Sequence, residues 1–291
     1  MKHCYIDKTF KNCSVLNKNL PSQSSTTMHA EALAAAGMFV RSCRVTATLW
    51  QSSIDSTSAT LKLPANSKIV HFVRHGQGYH NLMDQVAKES GAEFSDVDDY
   101  DLAVQEKRFY LKPELQDPPL TAKGLVDAKR LSGLVKHISP ELLIVSPLKR
   151  ATQTIAVGFH EHIRRSPQTP MLALESCREQ FGIYYSDKRS SVEDLQIEFP
   201  FVNYERMTDS EDVVWKPKAR ETMLEMCHRQ NEFLNILASL PQKEIVVGSH
   251  SAWLYSLFNI VLEVDEADKH TLQPMFVTGE LRSVLLTIHD N

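Results

Sequence analysis

The sequence predicts an α/β fold in which a mostly parallel central sheet is covered by helices on both faces. Short apolar runs alternate along the chain with segments whose apolar residues recur at helical spacing. The runs are almost continuously apolar, which is typical of strands buried on both faces of a parallel sheet. With 291 residues, of which 42% are hydrophobic, the chain is long enough for one large α/β domain or two smaller ones.

The predicted elements alternate in order from Lys68 onward. Five strands are predicted: "KIVHFV" from Lys68, "ELLIVSP" from Glu141, "MLALES" from Met171, "KEIVVGSHS" from Lys243 and "LRSVLLTIH" from Leu281. Four helices are predicted between them: "PLTAKGLVDAKRLSGLVKHI" with Thr121 as N-cap, "LKRATQTIAVGF", "ARETMLEMCHRQNEFLNILASL" and "AWLYSLFNIVL". Strands that alternate with helices favour parallel pairing, which supports the predicted fold class.

Residues 1–67 differ from the rest of the chain, and we predict an N-terminal extension there and an α/β domain over 68–291. The extension is rich in Ser and Thr and poor in acidic residues, with one predicted helix over 28–42. It is interpreted as a polar arm or as an organellar targeting segment. A polar, acidic insertion is predicted over 84–118. Its "DVDD" at 96–99 lacks the glycine and the distal glutamate of a calcium loop and is interpreted as a solvated turn.

Composition excludes several classes of function. The net charge is -4 and no basic stripe is present, so nucleic acid is not an expected partner. No apolar stretch reaches the roughly 18 residues of a transmembrane helix, so no membrane association is expected. The five cysteines are scattered and form no C-x-x-C pair, which favours reduced thiols and a cytoplasmic location, with organellar import as the alternative. The oligomeric state is left open.

Polar and charged side chains follow four predicted strands where each strand ends. They are Arg74 and His75 after the first strand, Ser146 to Arg150 after the second, Arg178 and Glu179 after the third, and Ser249 to Ser251 after the fourth. Ligands of open α/β sheets bind beyond the carboxyl ends of the strands. A single such residue would most often be structural or solvated, but their joint placement predicts a functional site at one edge of the sheet.

Several known phosphate-binding motifs are excluded because individual residues of this sequence do not match them. Gly76 and Gly78 resemble the start of a dinucleotide-binding loop, but Asn81 occupies the position of the third glycine. No Walker motif occurs, and no cysteine is followed by an arginine six positions later, as a cysteine phosphatase requires. No H-E-x-x-H or other metal-binding pattern is evident, so no metal and no cofactor is expected.

A histidine nucleophile accounts for the remaining residues. A neutral imidazole nitrogen attacks phosphorus and holds the phosphoryl group covalently. Arginines match the charged phosphoryl oxygens, and backbone N–H groups of a glycine turn at a helix N-terminus add further donors. A carboxylic acid on the opposite side supplies a proton to the leaving alkoxide. The sequence contains a candidate for each of these parts.

These motifs resemble the histidine phosphatase superfamily, with its phosphoglycerate mutase-like fold, and in particular the phosphoglycerate mutase-like proteins of plants and fungi. The resemblance covers about 68–288 and rests on six segments: "VRHGQGYHN", "DPPLTAKGLVDAKRL", "SPLKRATQT", "CREQFGIYYSDKR", "GSHS" and "FVTGELRSVLL". The family works without a metal. The resemblance also implies that the fold has inserted lid segments, and that residues 174–215 lie over the site as a lid.

The resemblance implies roles for individual residues. The catalytic set would be His75 as nucleophile, Glu179 as proton donor and His250, and the phosphate would be held by Arg74, Asn81, Arg150 and His250. The substrate would be contacted by Gln77, Lys188 and Arg189. Glu175 is the alternative proton donor. The predicted function is a metal-independent phosphatase of a small phosphorylated metabolite, with a phosphoglycerate mutase and a non-catalytic phospho-ligand binding module as the alternatives.

Overall fold

The computed structural model describes residues 44–50, 63–89 and 108–289. In this part of the chain eight strands form one sheet, in the order β5-β4-β3-β6-β2-β8-β1-β7. The strands are β1 (Arg44–Leu49), β2 (Ser67–Arg74), β3 (Leu142–Val145), β4 (Met171–Ala173), β5 (Val202–Asn203), β6 (Glu244–Ser249), β7 (Glu263–Val264) and β8 (Leu281–His289).

Helices connect the strands. They are α1 (Tyr79–Glu89), α2 (Ala122–Leu134), α3 (Lys149–Gly158), α4 (His160–Arg165), α5 (Val192–Glu198), α6 (Met223–Ser239), α7 (Ser251–Ser256) and α8 (Lys269–Leu272). Short 3-10 turns occur at Arg108–Leu111, Pro113–Leu115, Glu175–Cys177, Tyr185–Asp187 and Glu266–Asp268. None of the helices within 44–50, 63–89 and 108–289 is long and apolar enough to cross a lipid bilayer.

The sheet is mostly parallel, which confirms the predicted fold class. From β5 through β4, β3 and β6 to β2, each strand pairs in parallel with the next, and β1 pairs in parallel with β7. Strand β8 is antiparallel to both β2 and β1. Because β2, β3, β4 and β6 run in one direction, their carboxyl ends lie at the same edge of the sheet.

Strand β6 shows why the apolar runs are continuous. Val247 contributes to a core cluster that also contains Phe72 and Trp253. Val246, the adjacent residue, contributes to a second cluster with Val73. Successive side chains of a strand point to opposite faces, so a strand covered on both faces needs apolar residues at consecutive positions.

Strand β1 lies within the segment that the sequence assigned to the N-terminal extension. It pairs with β8 over its whole length, from Arg44 with His289 to Leu49 with Val284. Val45 and Ala47 are buried, with the alternation expected of a strand. Residues 44–49 therefore belong to the central sheet, although the sequence assigned them to the extension that ends at residue 67. The predicted helix over 28–42 and the acidic turn at 96–99 lie outside the described residues.

Helix capping explains two of the helix starts. Thr121 accepts a hydrogen bond from the backbone N–H of Gly124, so α2 begins directly after it as predicted. Thr222 and Glu225 form a reciprocal capping box, which starts α6 four residues later than the predicted segment. The predicted helix after β6 divides into α7 and a π-helical turn at Leu257–Val261.

Candidate active site

The loop after β2 packs backbone to backbone against the start of α2. The N–H of Thr121 donates to the carbonyl of Gln77 at 2.9 Å, and Gly78 forms a β-bridge with Leu120. A Cβ atom on Gly76 would lie 2.5 Å from the carbonyl oxygen of Gly124. Glycine is required here for close approach of two backbones, which accounts for the Gly-x-Gly pattern without a dinucleotide.

His75 is the first residue after β2, and its hydrogen bonds define its tautomer. Its Nδ1 lies 2.6 Å from the carbonyl oxygen of Gly76. A carbonyl oxygen only accepts, so the geometry assigns the proton to Nδ1 and leaves a lone pair on Nε2. The Nε–H of Arg150 donates to this Nε2 at 3.3 Å. The Nε2 lone pair of His75 therefore faces a guanidinium group, whose positive charge would balance that of an anion bound at this nitrogen.

Arg150 and His250 come to His75 from two neighbouring strand ends. Arg150 lies in the first turn of α3, after β3, and is completely buried. His250 directly follows β6, and its ring centroid lies 4.9 Å from that of His75. Its Nε2 lies 2.7 Å from the hydroxyl oxygen of Ser146, at the end of β3. The register that pairs Arg74 with Ser249 in β2 and β6 aligns these ends.

His80 is a site residue that the sequence analysis did not identify. It lies in the first turn of α1, is 8% exposed, and its ring centroid lies 5.6 Å from that of His75. The available signal was its position, because the first turn of a helix that follows a loop faces that loop. A third histidine, five residues after His75, was therefore placed to reach the site.

Three buried polar atoms around His75 have no hydrogen-bond partner within the described residues. They are Arg74 Nε, His80 Nδ1 and His250 Nδ1. Leaving a buried donor or acceptor unpaired costs about 1–3 kcal/mol. Three such atoms at one point of the fold indicate a site for a polar ligand, and the two arginines favour an anion.

All three histidines of the site are held in their neutral forms. Burial, followed by the positive charges of Arg150 and Arg74, lowers the pKa of His75 well below 6.5. Burial and then Arg150 lower the pKa values of His80 and His250 in the same way. A neutral imidazole retains a lone pair on one ring nitrogen, and a lowered pKa keeps His75 in this form to lower pH than an exposed histidine.

Glu179 and Glu175, the two candidate proton donors, lie in different surroundings. Glu179 accepts from the backbone N–H groups of Ala252 and Trp253 at 3.3 and 3.2 Å, in the helix turn directly after His250. Glu175 instead lies between two arginines, with one carboxylate oxygen on Arg178 at 2.7 Å and the other on Arg189. The structure therefore places Glu179 beside a site histidine and Glu175 in an ion-pair network.

Two of the three predicted substrate contacts, Gln77 and Arg189, form hydrogen bonds within the protein. Gln77 donates to Gln85 and accepts from the hydroxyl of Thr121 at 2.8 Å, so its amide links α1 to α2. Arg189 has five N–H donors, and they meet five acceptors: a carboxylate oxygen of Glu175 and the carbonyl oxygens of Ser190, Asp209, Ser210 and Glu211. The predicted contacts of Gln77 and Arg189 with substrate stay predictions.

Lys188 and Asn81 remain available as ligand contacts. The ammonium group of Lys188 lies over the rings of Trp215 and Tyr185, at 5.2 and 5.9 Å from their centroids. Asn81 uses its carbonyl oxygen to accept from the N–H of Gly78 at 3.0 Å, which closes the turn of the loop. The predicted contacts of Lys188 with substrate and of Asn81 with phosphate stay predictions.

The fold and the site define a class: an α/β protein with two histidines and two arginines gathered at the carboxyl ends of parallel strands. This chain belongs to the histidine phosphatase superfamily (branch 1), whose family model matches residues 106–280. His75 lies before the matched range, so the geometry places it in the site independently of that match.

The chain is also similar to curated plant and fungal proteins. Phosphoglycerate mutase-like protein 1 of Arabidopsis thaliana is 30% identical over 250 residues, which cover 75% of this chain and 81% of that protein. Phosphoglycerate mutase-like protein 2 of the same plant is 27% identical over 75% of this chain and 74% of its own length. Phosphomutase-like protein 3 of Candida albicans is 27% identical over 77% and 67%. Family and relatives together support a function of the phosphatase or mutase type.

Proposed function

We propose that this protein is a metal-independent phosphatase of a small phosphorylated metabolite and that it works through a phosphohistidine at Nε2 of His75. One observation carries the proposal. The hydrogen bond from Nδ1 to the Gly76 carbonyl leaves the Nε2 lone pair directed at Arg150. The positive charges of Arg74 and Arg150 favour a phosphate and disfavour a divalent cation at the same place.

In the first step the Nε2 lone pair attacks phosphorus, a P–N bond forms, and the ester P–O bond breaks. The departing alkoxide takes a proton from Glu179, and Arg150 stabilises the charge on the phosphoryl oxygens. In the second step a water attacks phosphorus and gives its proton back to Glu179. The P–N bond breaks, phosphate leaves, and His75 recovers its lone pair.

The site is closed in this structure, because His75 is 2% exposed and Arg150 and His250 are fully buried. Ser186 and Asp187, within the segment expected to form a lid, contact the guanidinium of Arg150. Entry of a substrate therefore requires this segment to move. A closed site excludes bulk water and strengthens the electrostatic interactions inside.

The covalent intermediate provides the test. His75→Ala should reduce turnover of phosphomonoesters to below about a tenth of the wild-type rate and abolish covalent labelling, because no other group replaces the nucleophile. The measurements are phosphate release from p-nitrophenyl phosphate and a panel of phosphorylated metabolites, and recovery of an acid-labile, base-stable phosphoprotein after quenching. Substantial turnover or labelling of the variant would remove His75 from the nucleophile role.

A buried histidine outside the site provides the matched control. His71 is on the same strand and hydrogen-bonds Ser283 and Glu244, so His71→Gln should keep both labelling and turnover. Label that passes to an acceptor alcohol without release of phosphate would instead support the mutase alternative. Phosphate binding by the wild type without any label would support a binding module.

A further inference from the structure

The turn at Tyr185–Asp187 holds one end of the Arg150 guanidinium. The carbonyl oxygen of Ser186 accepts from Nη1 of Arg150 at 2.6 Å. A carboxylate oxygen of Asp187 accepts from Nη2 at 3.1 Å. The Nε of the same guanidinium faces the nucleophilic nitrogen of His75 at 3.3 Å. A lid segment and the nucleophile therefore contact different sides of one planar group.

Asp187 bridges two arginines. Its second carboxylate oxygen accepts from Nη1 of Arg220 at 2.9 Å, and Arg220 also donates to the carbonyl of Gly182 and lies 4.4 Å above the ring of Tyr184. The Asp187 side chain is 6% exposed. A buried carboxylate that is paired with two guanidinium groups is strongly restrained, because leaving either charge unpaired is costly.

A second carboxylate joins the same two segments through their backbones. Asp117 accepts from the N–H of Lys149 and from the N–H of Ser190, both at 2.9 Å. Lys149 precedes Arg150 in the first turn of α3, and Ser190 follows the Tyr185–Asp187 turn by three residues. The turn is thereby fixed to the arginine-bearing helix even without the Asp187 side chain, which makes a substitution at Asp187 compatible with folding.

The contacts with the turn do not use the donors that a phosphate needs. Arg150 has five N–H groups, and the turn takes one from each terminal nitrogen. The other two terminal N–H groups remain for phosphoryl oxygens, and the Nε–H, which donates to Nε2 of His75 in this structure, joins them once that nitrogen carries the phosphoryl group. A carboxylate placed in this way orients the guanidinium and leaves its inner side open, whereas a blocking carboxylate would lie between Arg150 and His75.

We propose that Asp187 is a positioning residue that aims Arg150 at the phosphoryl group on His75. The position of Asp187 in the sequence does not indicate this role, because Asp187 acts through the side chain of Arg150. The proposal rests on the proposed function, because the phosphoryl group is the object that Arg150 binds. It implies that the phosphate site is complete only when the Tyr185–Asp187 turn is in place.

The test is a double-mutant cycle between Asp187→Asn and Arg150→Ala. A misplaced catalytic group costs on the order of 10²-fold in rate, so Asp187→Asn should lower kcat/KM by about that factor and weaken competitive inhibition by inorganic phosphate. In the Arg150→Ala background the same change should have almost no further effect, because the residue through which Asp187 acts is gone. Equal kcat/KM for Asp187→Asn and wild type, or losses that multiply in the double variant, would overturn the proposal.

Two further variants separate positioning from folding. Glu221→Gln is the control, because Glu221 is a similarly buried carboxylate paired with Arg229, and it should leave phosphate inhibition unchanged. Asp187→Glu keeps the charge but is one methylene longer, so it should fold and still lower kcat/KM. Wild-type activity of Asp187→Glu, or tighter phosphate inhibition in Asp187→Asn, would contradict a positioning role.

Phosphate binding also separates this inference from the proposed function. Calorimetric titration with inorganic phosphate requires no turnover and no phosphohistidine. If the wild type forms no covalent intermediate, the proposed function fails, yet weaker phosphate binding in Asp187→Asn that depends on Arg150 still supports the positioning role. If the wild type is labelled and Asp187→Asn binds phosphate as the wild type does, only the positioning role fails.

Discussion

Hydrogen bonds to the backbone orient two of the predicted site residues, His75 and Glu179. The Gly76 carbonyl fixes the tautomer of His75, and the N–H groups after His250 fix the position of Glu179. Neither partner is a side chain, so substitution of the surrounding side chains leaves these contacts in place. The proposed role of Glu179 as proton donor can be tested directly.

The role of Glu179 is best tested by its dependence on the leaving group. An alkyl phosphate leaves as a basic alkoxide, for which general acid catalysis contributes about 10²- to 10⁴-fold. A nitrophenolate is stable as an anion and gains little from protonation. Glu179→Gln should therefore slow hydrolysis of an alkyl phosphate far more than hydrolysis of p-nitrophenyl phosphate, as measured by phosphate release from both substrates.

Glu175→Gln is the comparison for that measurement. Glu175 is held by Arg178 and Arg189, so its loss should affect both substrates alike if it affects them at all. An equal drop on both substrates in Glu179→Gln would exclude the acid role for Glu179. A selective drop in Glu175→Gln would assign that role to Glu175.

Helix α2 packs against the loop after β2 through one of its two glycines. A Cβ on Gly124 would lie 2.1 Å from the carbonyl oxygen of Gln77, which is a backbone atom that cannot rotate away. Gly133, in the last turn of the same helix, would place its Cβ with nothing within 4 Å. Substitution by alanine should therefore have opposite effects on stability at Gly124 and at Gly133.

Gly124→Ala should destabilise the protein by roughly 1–3 kcal/mol, the usual cost of overpacking, and should impair turnover because the loop beside His75 is displaced. Gly133→Ala should stabilise it by roughly 0.5–1 kcal/mol, since alanine is the better helix former. Chemical denaturation and turnover of both variants are the measurements. A Gly124→Ala variant with wild-type stability and activity would show that the loop does not depend on this close packing.

The whole molecule should become less stable as the pH falls below about 6.5. His75, His80 and His250 have pKa values well below 6.5 in the folded protein, chiefly because of burial. The unfolded chain binds their protons near the ordinary pKa, so it holds more protons than the folded state just below pH 6.5. The contribution of these neutral histidines to the free energy of unfolding is therefore complete above that pH. It is lost as the pH falls, by about 1.4 kcal/mol per pH unit for each histidine.

Denaturation curves measured between pH 7.5 and pH 5 test this dependence. His80→Gln should make the fall in the free energy of unfolding shallower by the share of one histidine, since glutamine does not titrate. A free energy of unfolding that stays constant or rises across this range would show that the three histidines do not remain neutral in the folded state.

The sequence by itself determined the α/β class, five of the eight strands in the described part of the chain, and the positions of His75 and His250 directly after strands and of Arg150 in the helix after β3. It did so because these signals are local: apolar periodicity marks the elements, and the residue after a strand is fixed by chain order. The short strands β5 and β7 carry too few residues for a periodic signal. Strand β1 gives no clear strand signal because the segment around it is rich in Ser and Thr.

Only the tertiary structure decided how the side chains of the site are paired. Arg150 meets Asp187 across 37 residues, and His250 meets Ser146 across 104. Such pairs depend on strand register and on where the lid segment packs, neither of which leaves a mark in the spacing of residues. The same packing gives Arg189 and Gln77 hydrogen bonds within the protein and brings His80 beside His75. Proximity between distant segments is set by the packed core, and the chemistry of the site follows from that proximity.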